Sequence, residues 1–410
     1  MFKITEPAIP YLHALGGLAG ESSCRRAHAM KRISFLCWTL TIALLLNPCW
    51  VSTARAEGDW EITPESQQAL DRGLKWLAAN QAPEGNWTSN DLGLVSTGLL
   101  AFLAAGELPG RGEHGEAAQR ALNYVISHAK PSGLLNMSNE RRDMYNHGLS
   151  TFVLGQAYGM SDDRRIGPLL DRALKLIAQT QCKDGGWDYV ARPQPHGHDL
   201  SLAVMQAKAL RSAVDSGLEV PPEVIELAIQ SVREHYSPNG CSRHASEEEQ
   251  QKHPGQFTYN KGGGQGTIAM AAAGVVCLQE FAQYDDWRIE KSMDRVCAAI
   301  EEKCKGKKAS APPFDAYTLY YVGQALYQVG GEKWKKYYPP LRDTLVACQH
   351  NSPNDRALHG KWSANGRVGG KPGEMYMTAT CCFILAMPNR YLPILQEGRI
   401  DTLRRRFQQK

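Results

Sequence analysis

Charge of either sign is nearly cancelled in this 410-residue chain, where 46 Lys and Arg against 42 Asp and Glu leave a formal net charge of +4. Without a basic excess it lacks the footprint of a dedicated nucleic-acid binder, and no nucleic-acid partner is expected. No C-x-x-C pair occurs among its 11 cysteines, which removes the common kind of structural zinc ligation. Long apolar runs are missing too. The longest, residues 33–46, falls short of the ~20 that a spanning helix needs. What is present is ordinary for a packed globule: 43% hydrophobic and 21% charged residues argue against general disorder.

The apolar run is bounded as an export leader is. Lys31 and Arg32 precede it, and Ala54-Arg55-Ala56 supplies a small-x-small cleavage site. Met30 sits just before the basic pair. The reading is therefore an upstream extension over 1–29, a signal peptide over 30–56 and an exported chain, periplasmic or extracellular, from 57 onward. An uncleaved anchor is the alternative, and the leader is the only membrane contact expected. Export permits disulfides. Eight cysteines remain beyond the leader: Cys182, Cys241, Cys277, Cys297, Cys304, Cys348, Cys381 and Cys382. They are read either as bridges or as small buried core residues.

Six segments carry apolar residues at i, i+3, i+4, i+7, as an amphipathic helix requires. One stripe is Leu169, Leu170, Ala173, Leu174 and Ile177; another is Ile289, Met293, Val296 and Ile300. The others are built on Leu70, Leu74 and Leu77, on Ala118, Leu122 and Val125, on Ile225, Ala228 and Val232, and on Tyr338, Leu341 and Leu345. Each is followed by a second helix of different character: 93–106, 148–159, 200–210, 267–278, 317–326 and 376–387. These are apolar or small all round, so they must be buried on every side. An open array of such pairs would need polar caps, and none is present. The pattern predicts an all-α fold, a closed ring of six outer–inner helix pairs over 57–395, with a basic tail over 396–410. Cys182 with Cys241, and Cys304 with Cys348, follow or end adjacent outer helices and are the candidate bridges.

The turn after the outer helix repeats. Gln81-x-x-x-Gly85-x-Trp87 matches Gln181-x-x-x-Gly185-x-Trp187, and Gln349 with Gly360-x-Trp362 repeats it with an insertion. Two other turns keep only Gly133 and Gly240. Gly is expected to end the helix in a left-handed conformation, Gln to bond the freed helix end, and Trp to cover the join. This pattern resembles the signature of the prenyltransferase/squalene-oxidase repeat superfamily, the terpenoid-cyclase-like proteins. The run from Met144 to Met160, then Gln181 to Trp187, then His198-Asp199-Leu200-Ser201, resembles its exported members common in planctomycete-type bacteria, whose activity is largely unassigned. The resemblance spans roughly residues 60–390 and implies an α/α toroid.

The chemistry of the better-known relatives does not carry over. Squalene–hopene cyclases use a D-x-D-D-T-A motif, which this chain lacks; Asp162-Asp163 and Asp285-Asp286 lie in loops before outer helices. The Asp-x-Cys element of the zinc-holding protein prenyltransferases is absent as well. Gly262-Gly263-Gly264-Gln265-Gly266 has the glycines and glutamine of a thioester domain but no cysteine.

What remains is a set of polar groups where inner helices begin: Asp91, Asp143, Tyr145, His147, His198, Asp199, Gln265, Asp315, Tyr317, Glu374 and Tyr376. In a ring of parallel inner helices these starts line one mouth. Each Asp also suits an N-cap, worth about 0.5–2 kcal/mol. His147 lies one turn past Asp143 and shares its face. The candidate catalytic set is thus His147, His198, Asp199, Asp143 and Asp315. His147 and His198 are expected to approach each other with Asp143 or Asp199 as orienting partner, as an acid–base pair or a partial zinc site. His196-Gly197-His198 is an alternative metal pair. The sequence identifies no cofactor.

Two long loops, 236–266 and 351–373, are expected to hang over the mouth, where Lys261, Arg367 and Lys371 would add positive charge. Phe102, Phe152, Tyr158, Tyr320, Tyr321 and Phe383 on inner helices would suit an isoprenoid or lipid in the ring. Three readings stay open: an enzyme or small-ligand protein that binds or transforms a small molecule or lipid in the ring cavity, a non-catalytic binding or scaffold module of the cell envelope, and a carbohydrate-active ring. An open pocket reaching the polar rim favours the first; a filled centre with separated histidines favours the second.

Overall fold

The computed structural model describes residues 60–87, 89–264, 266–304, 309–365 and 373–396. The leader and the extension before it, Gln265, Arg367, Lys371 and the tail beyond residue 396 lie outside the described residues. So does most of the glycine-rich part of the sixth loop.

The amphipathic stripes form six outer helices: α1 (Pro64–Ala79), α3 (Gly115–Ser127), α5 (Ile166–Thr180), α7 (Pro222–Arg233), α10 (Trp287–Lys303) and α12 (Gly331–Cys348). The all-apolar segments form the inner set: α2 (Leu92–Ala104), α4 (Asp143–Tyr158), α6 (Leu200–Asp215), α9 (Ile268–Glu280), α11 (Ala316–Val329) and α13 (Gly373–Ala386). Inner helices pack in cyclic order, α2 on α4, α4 on α6, α6 on α9, α9 on α11 and α11 on α13, and α13 returns to α2. The ring is closed. Small residues allow this close approach. A Cβ placed on Gly155 of α4 would stand 2.2 Å from Ser212 Oγ of α6. No helix among the described residues is long and apolar enough to cross a membrane.

The Gln–Gly–Trp turns act as clasps between outer helices, which differs from the expected helix cap. Gln81 Nε2 donates to Gly85 O at 3.0 Å and to Ala117 O of the next outer helix at 3.0 Å. Gln181 does the same to Gly185 O and to Val224 O of α7. Gln349 donates to Gly360 O at 2.9 Å and to Ala69 O of α1 at 2.8 Å, which fastens the last outer helix to the first. Each Trp indole donates back to its own outer helix: Trp87 to Leu77 O, Trp187 to Ile177 O and Trp362 to Leu345 O. The glycine lies in the turn beyond the helix end. At Gly185, φ is +78°, and a Cβ would fall 2.0 Å from Leu227 O of α7. Only glycine fits between turn and neighbour.

The fourth loop forms a hairpin. Strands β1 (Tyr236–Pro238) and β2 (Gly255–Phe257) pair antiparallel with Tyr236 opposite Phe257, and a short helix α8 (Glu247–Gln251) lies between them. Glu247 anchors α8 to Arg288 of α10 at 2.5 Å.

All eight described cysteines are free, so neither Cys182–Cys241 nor Cys304–Cys348 is bridged. Six of them are buried, as small core residues are. The aromatic residues proposed as a lipid lining are mostly core as well. Phe102, Phe152, Tyr320, Tyr321 and Phe383 are at most 1% exposed; Phe102 packs against Trp87 and His114 of the outer layer, the other four are core, and Tyr158 is exposed. Among them lies a buried charge: Lys208 Nζ is 3.3 Å from Glu280 Oε1, bonds Gln324, and stands 4.2 Å above the Phe152 ring.

Candidate functional site

A cavity of about 490 Å³ opens where the inner helices begin. All six contribute to it: Leu94 from α2, Tyr145 and Leu149 from α4, Met205 from α6, Met270 from α9, Tyr317 from α11 and Tyr376 from α13. Its floor is apolar, formed by the leucines and methionines. Its rim is polar, with Tyr145, Tyr189, Tyr259, Tyr317, Asp91, Asp315 and Arg142. The mouth therefore lies where the closed ring predicts it.

The candidate residues are divided by helix geometry. The α4 helix starts at Asp143, five residues before the apolar segment begins. Tyr145 and Leu149, four apart, share the face that lines the cavity. His147 is two residues from Tyr145, a rotation of about 200°. Its ring points instead at α5, where Nε2 bonds Ala173 O at 3.0 Å, while Nδ1 accepts from Leu135 N at 3.2 Å. Fully buried, its pKa falls to about 4, because burial disfavours the charged ring. His147 is a structural staple. The expected His147–His198 pair does not form, and among the described residues no three His, Cys, Asp or Glu side chains converge as a metal site.

Asp143 is likewise structural. It accepts from Asn136 Nδ2 at 2.7 Å and from Ala191 N at 3.2 Å, tying two loops together. Glu374 turns outward to Lys361 at 2.7 Å. Lys261, expected at the mouth, is held by Asp184 and Glu234 at 2.9 and 3.1 Å. His196 is exposed near Asp184 rather than paired with His198 for a metal.

The remaining candidates meet at the rim. Asp91, Asp199 and Asp315 are all N-caps, bonding Gly93 N, Ser201 N and Thr318 N. Asp91 and Asp315 also line the cavity. Asp91 pairs with Arg142 at 2.9 Å, and Asp315 Oδ2 accepts from Thr318 Oγ1 at 2.7 Å.

Asp199 is the hub of a chain of hydrogen bonds. The Ser201 hydroxyl donates to its Oδ1, and the Tyr145 hydroxyl bonds Ser201 Oγ in turn. On the other oxygen, Oδ2 accepts from Tyr189 OH at 2.7 Å and meets His198 Nδ1 at 2.8 Å. The Asp199 side chain is fully buried, while that of His198 is 49% exposed. The chain thus runs Tyr145, Ser201, Asp199, His198, from cavity to solvent. Tyr259 bonds the Tyr189 hydroxyl, and the His198 ring packs edge-on against Tyr189. Burial, aided by the Asp199 charge, raises the Tyr145 pKa; burial dominates at Tyr189, Tyr317 and Tyr376 as well. These phenols stay protonated and act as donors.

Three rim residues were not singled out from the sequence: Tyr189, Tyr259 and Arg142. Tyr189 lies two residues beyond Trp187 of the strongest turn, which was a usable signal. Tyr259 arrives on the hairpin loop and Arg142 by a 3₁₀ turn before α4, and neither position has a sequence signature.

No family model matches the chain, and no curated protein matches it. Solved structures do. An unsaturated glucuronyl hydrolase specific for heparin aligns with TM-score 0.53 at 13% identity, covering 78% of this chain and 96% of its own. An inactive variant of an α-1,6-mannanase from a Salegentibacter species, bound to α-1,6-mannotriose, aligns with TM-score 0.51 at 9% identity over 82% and 100%. A type II terpene cyclase from Scytonema, holding geranylgeranyl dihydroxybenzoate, aligns with TM-score 0.49 at 14% identity over 80% and 98%. At such identities the first two show the fold alone. The chain is an α/α toroid.

Proposed function

We propose that the protein is exported and binds a small amphipathic ligand in the mouth cavity, where it removes or exchanges a proton. The single observation that carries this reading is the Tyr145–Ser201–Asp199–His198 chain at the edge of an open cavity of about 490 Å³. The volume lies in the range of small-ligand sites. The apolar floor suits the body of a short isoprenoid or other lipid, and the tyrosine rim suits its polar head. The filled layer of Phe152, Tyr320 and Lys208 limits how deep a chain can reach.

The proposed step uses donors already aligned. Tyr145 gives its hydrogen bond to Ser201, which leaves oxygen lone pairs for the cavity. As Tyr145 accepts a proton from the ligand, its own proton passes to Ser201 and that of Ser201 to Asp199 Oδ1. The carboxylate is the base, so no tyrosinate has to form. His198 at Oδ2 connects Asp199 to solvent and allows it to return to the charged form.

A second reading, a non-catalytic module of the cell envelope, is favoured by the filled ring axis and by the structural role of His147. Deuterium decides between them. Protein loaded from a lipid extract is incubated in D₂O, and bound ligand is recovered for mass spectrometry. The proposal expects deuterium in ligand from the parent and loss of that label with Tyr145→Phe or Asp199→Asn. Ligand bound equally by all, unlabelled by any, supports the module.

A further inference from the structure

Most polar groups of the mouth lining are bonded to the protein itself. Tyr145 reaches Ser201, Tyr189 reaches Asp199, and Tyr317 bonds both Tyr145 and Ser201. Asp315 accepts from Thr318, and Asp91 pairs with Arg142. Arg141 is exposed to solvent. Tyr376 of α13 is different. Its side chain lines the cavity, the residue is only 6% exposed, and its hydroxyl makes no hydrogen bond among the described residues. Asp315, Tyr145 and Arg142 act on it through charge alone. Nor is that oxygen sealed in the core, as the unpartnered hydroxyls of Tyr236 and Tyr338 are; it meets the void. A buried polar group is nearly always satisfied, so a bare donor on a cavity wall points to an acceptor that arrives with the ligand.

The proton removal proposed above narrows that acceptor, and the inference rests on it. A deuterium label that survives recovery of the ligand sits on carbon, because O–D exchanges back with water. A carboxylate takes a proton from carbon only where the electron pair left behind has somewhere to go. A neighbouring carbonyl supplies that place, and its oxygen then needs a donor in a site shielded from water. Tyr376 faces the same void as Tyr145, and α13 and α4 flank α2 in the ring. Burial and the Asp315 charge raise the Tyr376 pKa, so the phenol keeps its proton and donates. The lining sets Asp91 and Asp315 against Arg141 and Arg142, so no net charge selects an ionic head. We infer that the mouth binds a neutral carbonyl compound with an apolar body, whose carbonyl oxygen accepts from Tyr376 while Tyr145 takes the proton from the adjacent carbon. The C–H bond breaks and its electron pair enters a C=C bond, as the C=O pair moves onto oxygen. The proton goes to the Tyr145 oxygen, that of Tyr145 to Ser201, and that of Ser201 to Asp199. The enolate carries the negative charge that Asp199 gives up. Return of a proton, or a deuteron, restores both ligand and carboxylate.

The probes are geranylacetone, an isoprenoid ketone, and geraniol, which has no carbonyl. The full chain is incubated with each in D₂O, and deuterium on carbon is read by NMR and mass spectrometry. Exchange beside the carbonyl of geranylacetone, above the rate in buffer, is expected, and none on geraniol. Tyr376→Phe loses only a hydroxyl without a partner, so it folds as the parent does. It should slow the exchange about 100-fold at saturation, the worth of one oxyanion donor, with KM little changed. Geranylacetone left at the buffer rate by the parent overturns the inference. So does exchange by Tyr376→Phe at the parent's rate, or labelling of geraniol on carbon. The lipid-extract experiment keeps the two failures apart. Ligand labelled by the parent but lacking a carbonyl, or labelled as fast by Tyr376→Phe, overturns the carbonyl assignment alone. Ligand that the parent leaves unlabelled overturns the proton-transfer reading of the mouth.

Discussion

If the ring is closed, the seam between its last and first outer helices should hold as firmly as any other, and Gln349→Leu measures that. Leucine keeps the bulk of glutamine and removes its polar end. The bonds lost are those to Ala69 O at 2.8 Å and Gly360 O at 2.9 Å, and the acceptor for Arg72 Nε and Nη2 at 3.1 and 2.7 Å. Arg72 regains water, so its share is small. The two carbonyls are left in a buried join, at about 1–2 kcal/mol each, for a total near 2–4 kcal/mol. Gln81→Leu, within the array, removes the matching bonds to Ala117, Gly85 and Arg120. The two variants should therefore agree within about 1 kcal/mol. Urea unfolding with unchanged m-values reads the difference directly. In an open arc the last clasp has nothing to hold. A Gln349→Leu variant as stable as the parent, beside a destabilised Gln81→Leu, would refute closure.

Other perturbations probe the interior. His147 and His235 both have folded pKa values near 4, set mainly by burial, against about 6.5 unfolded. Between those values the unfolded chain binds protons that the folded chain does not. Stability should be full above pH ~6.5 and fall toward pH 4, by up to about 3 kcal/mol for each ring, and His147→Gln should remove roughly half of that slope in denaturant titrations across this range. A slope unchanged by the substitution would reject the assignment. Lys208→Met, which strands the buried Glu280 carboxylate, should cost about 3–5 kcal/mol, and adding Glu280→Gln should recover much of it; no recovery in the double variant counts against the pairing. Gly185→Ala forces a side chain into a left-handed turn and against Leu227 O, so thermal melting should show a loss above the ~1–2 kcal/mol of backbone strain alone, and a smaller loss would mean the turn is free to move.

The architecture was readable because burial leaves a periodic mark. Helices such as α2 and α13, apolar on every side, have nowhere to be except inside a second layer, and six of them without polar ends imply a ring. The mouth followed from their shared direction. Which side chains reach it did not. The start of α4 at Asp143 and the face shared by Asp143 and His147 were readable, but the rotation of that helix, which turns His147 outward and Tyr145 inward, was not. Asp143, His147 and Glu374 have the residue types of a site but are spent on Asn136, Ala173 and Lys361. His198 and Asp199 were found because they sit at a helix start; their link to the cavity through Ser201 and Tyr145 depends on a contact between α4 and α6 that no local pattern encodes. The clasps had the right residues but the wrong partner, since a glutamine after a helix suggests its own end rather than the neighbouring helix.

The account turns on whether the mouth cavity holds a ligand, and native mass spectrometry of the purified protein tests this most directly. Parent protein exposed to lipid and polar extracts is compared with Ala269→Trp, whose indole fills the cavity, and with His147→Gln, which lies outside it. The parent and His147→Gln should carry the same small molecule and Ala269→Trp none. A parent that takes up nothing, or an Ala269→Trp variant that keeps the molecule, would contradict the account.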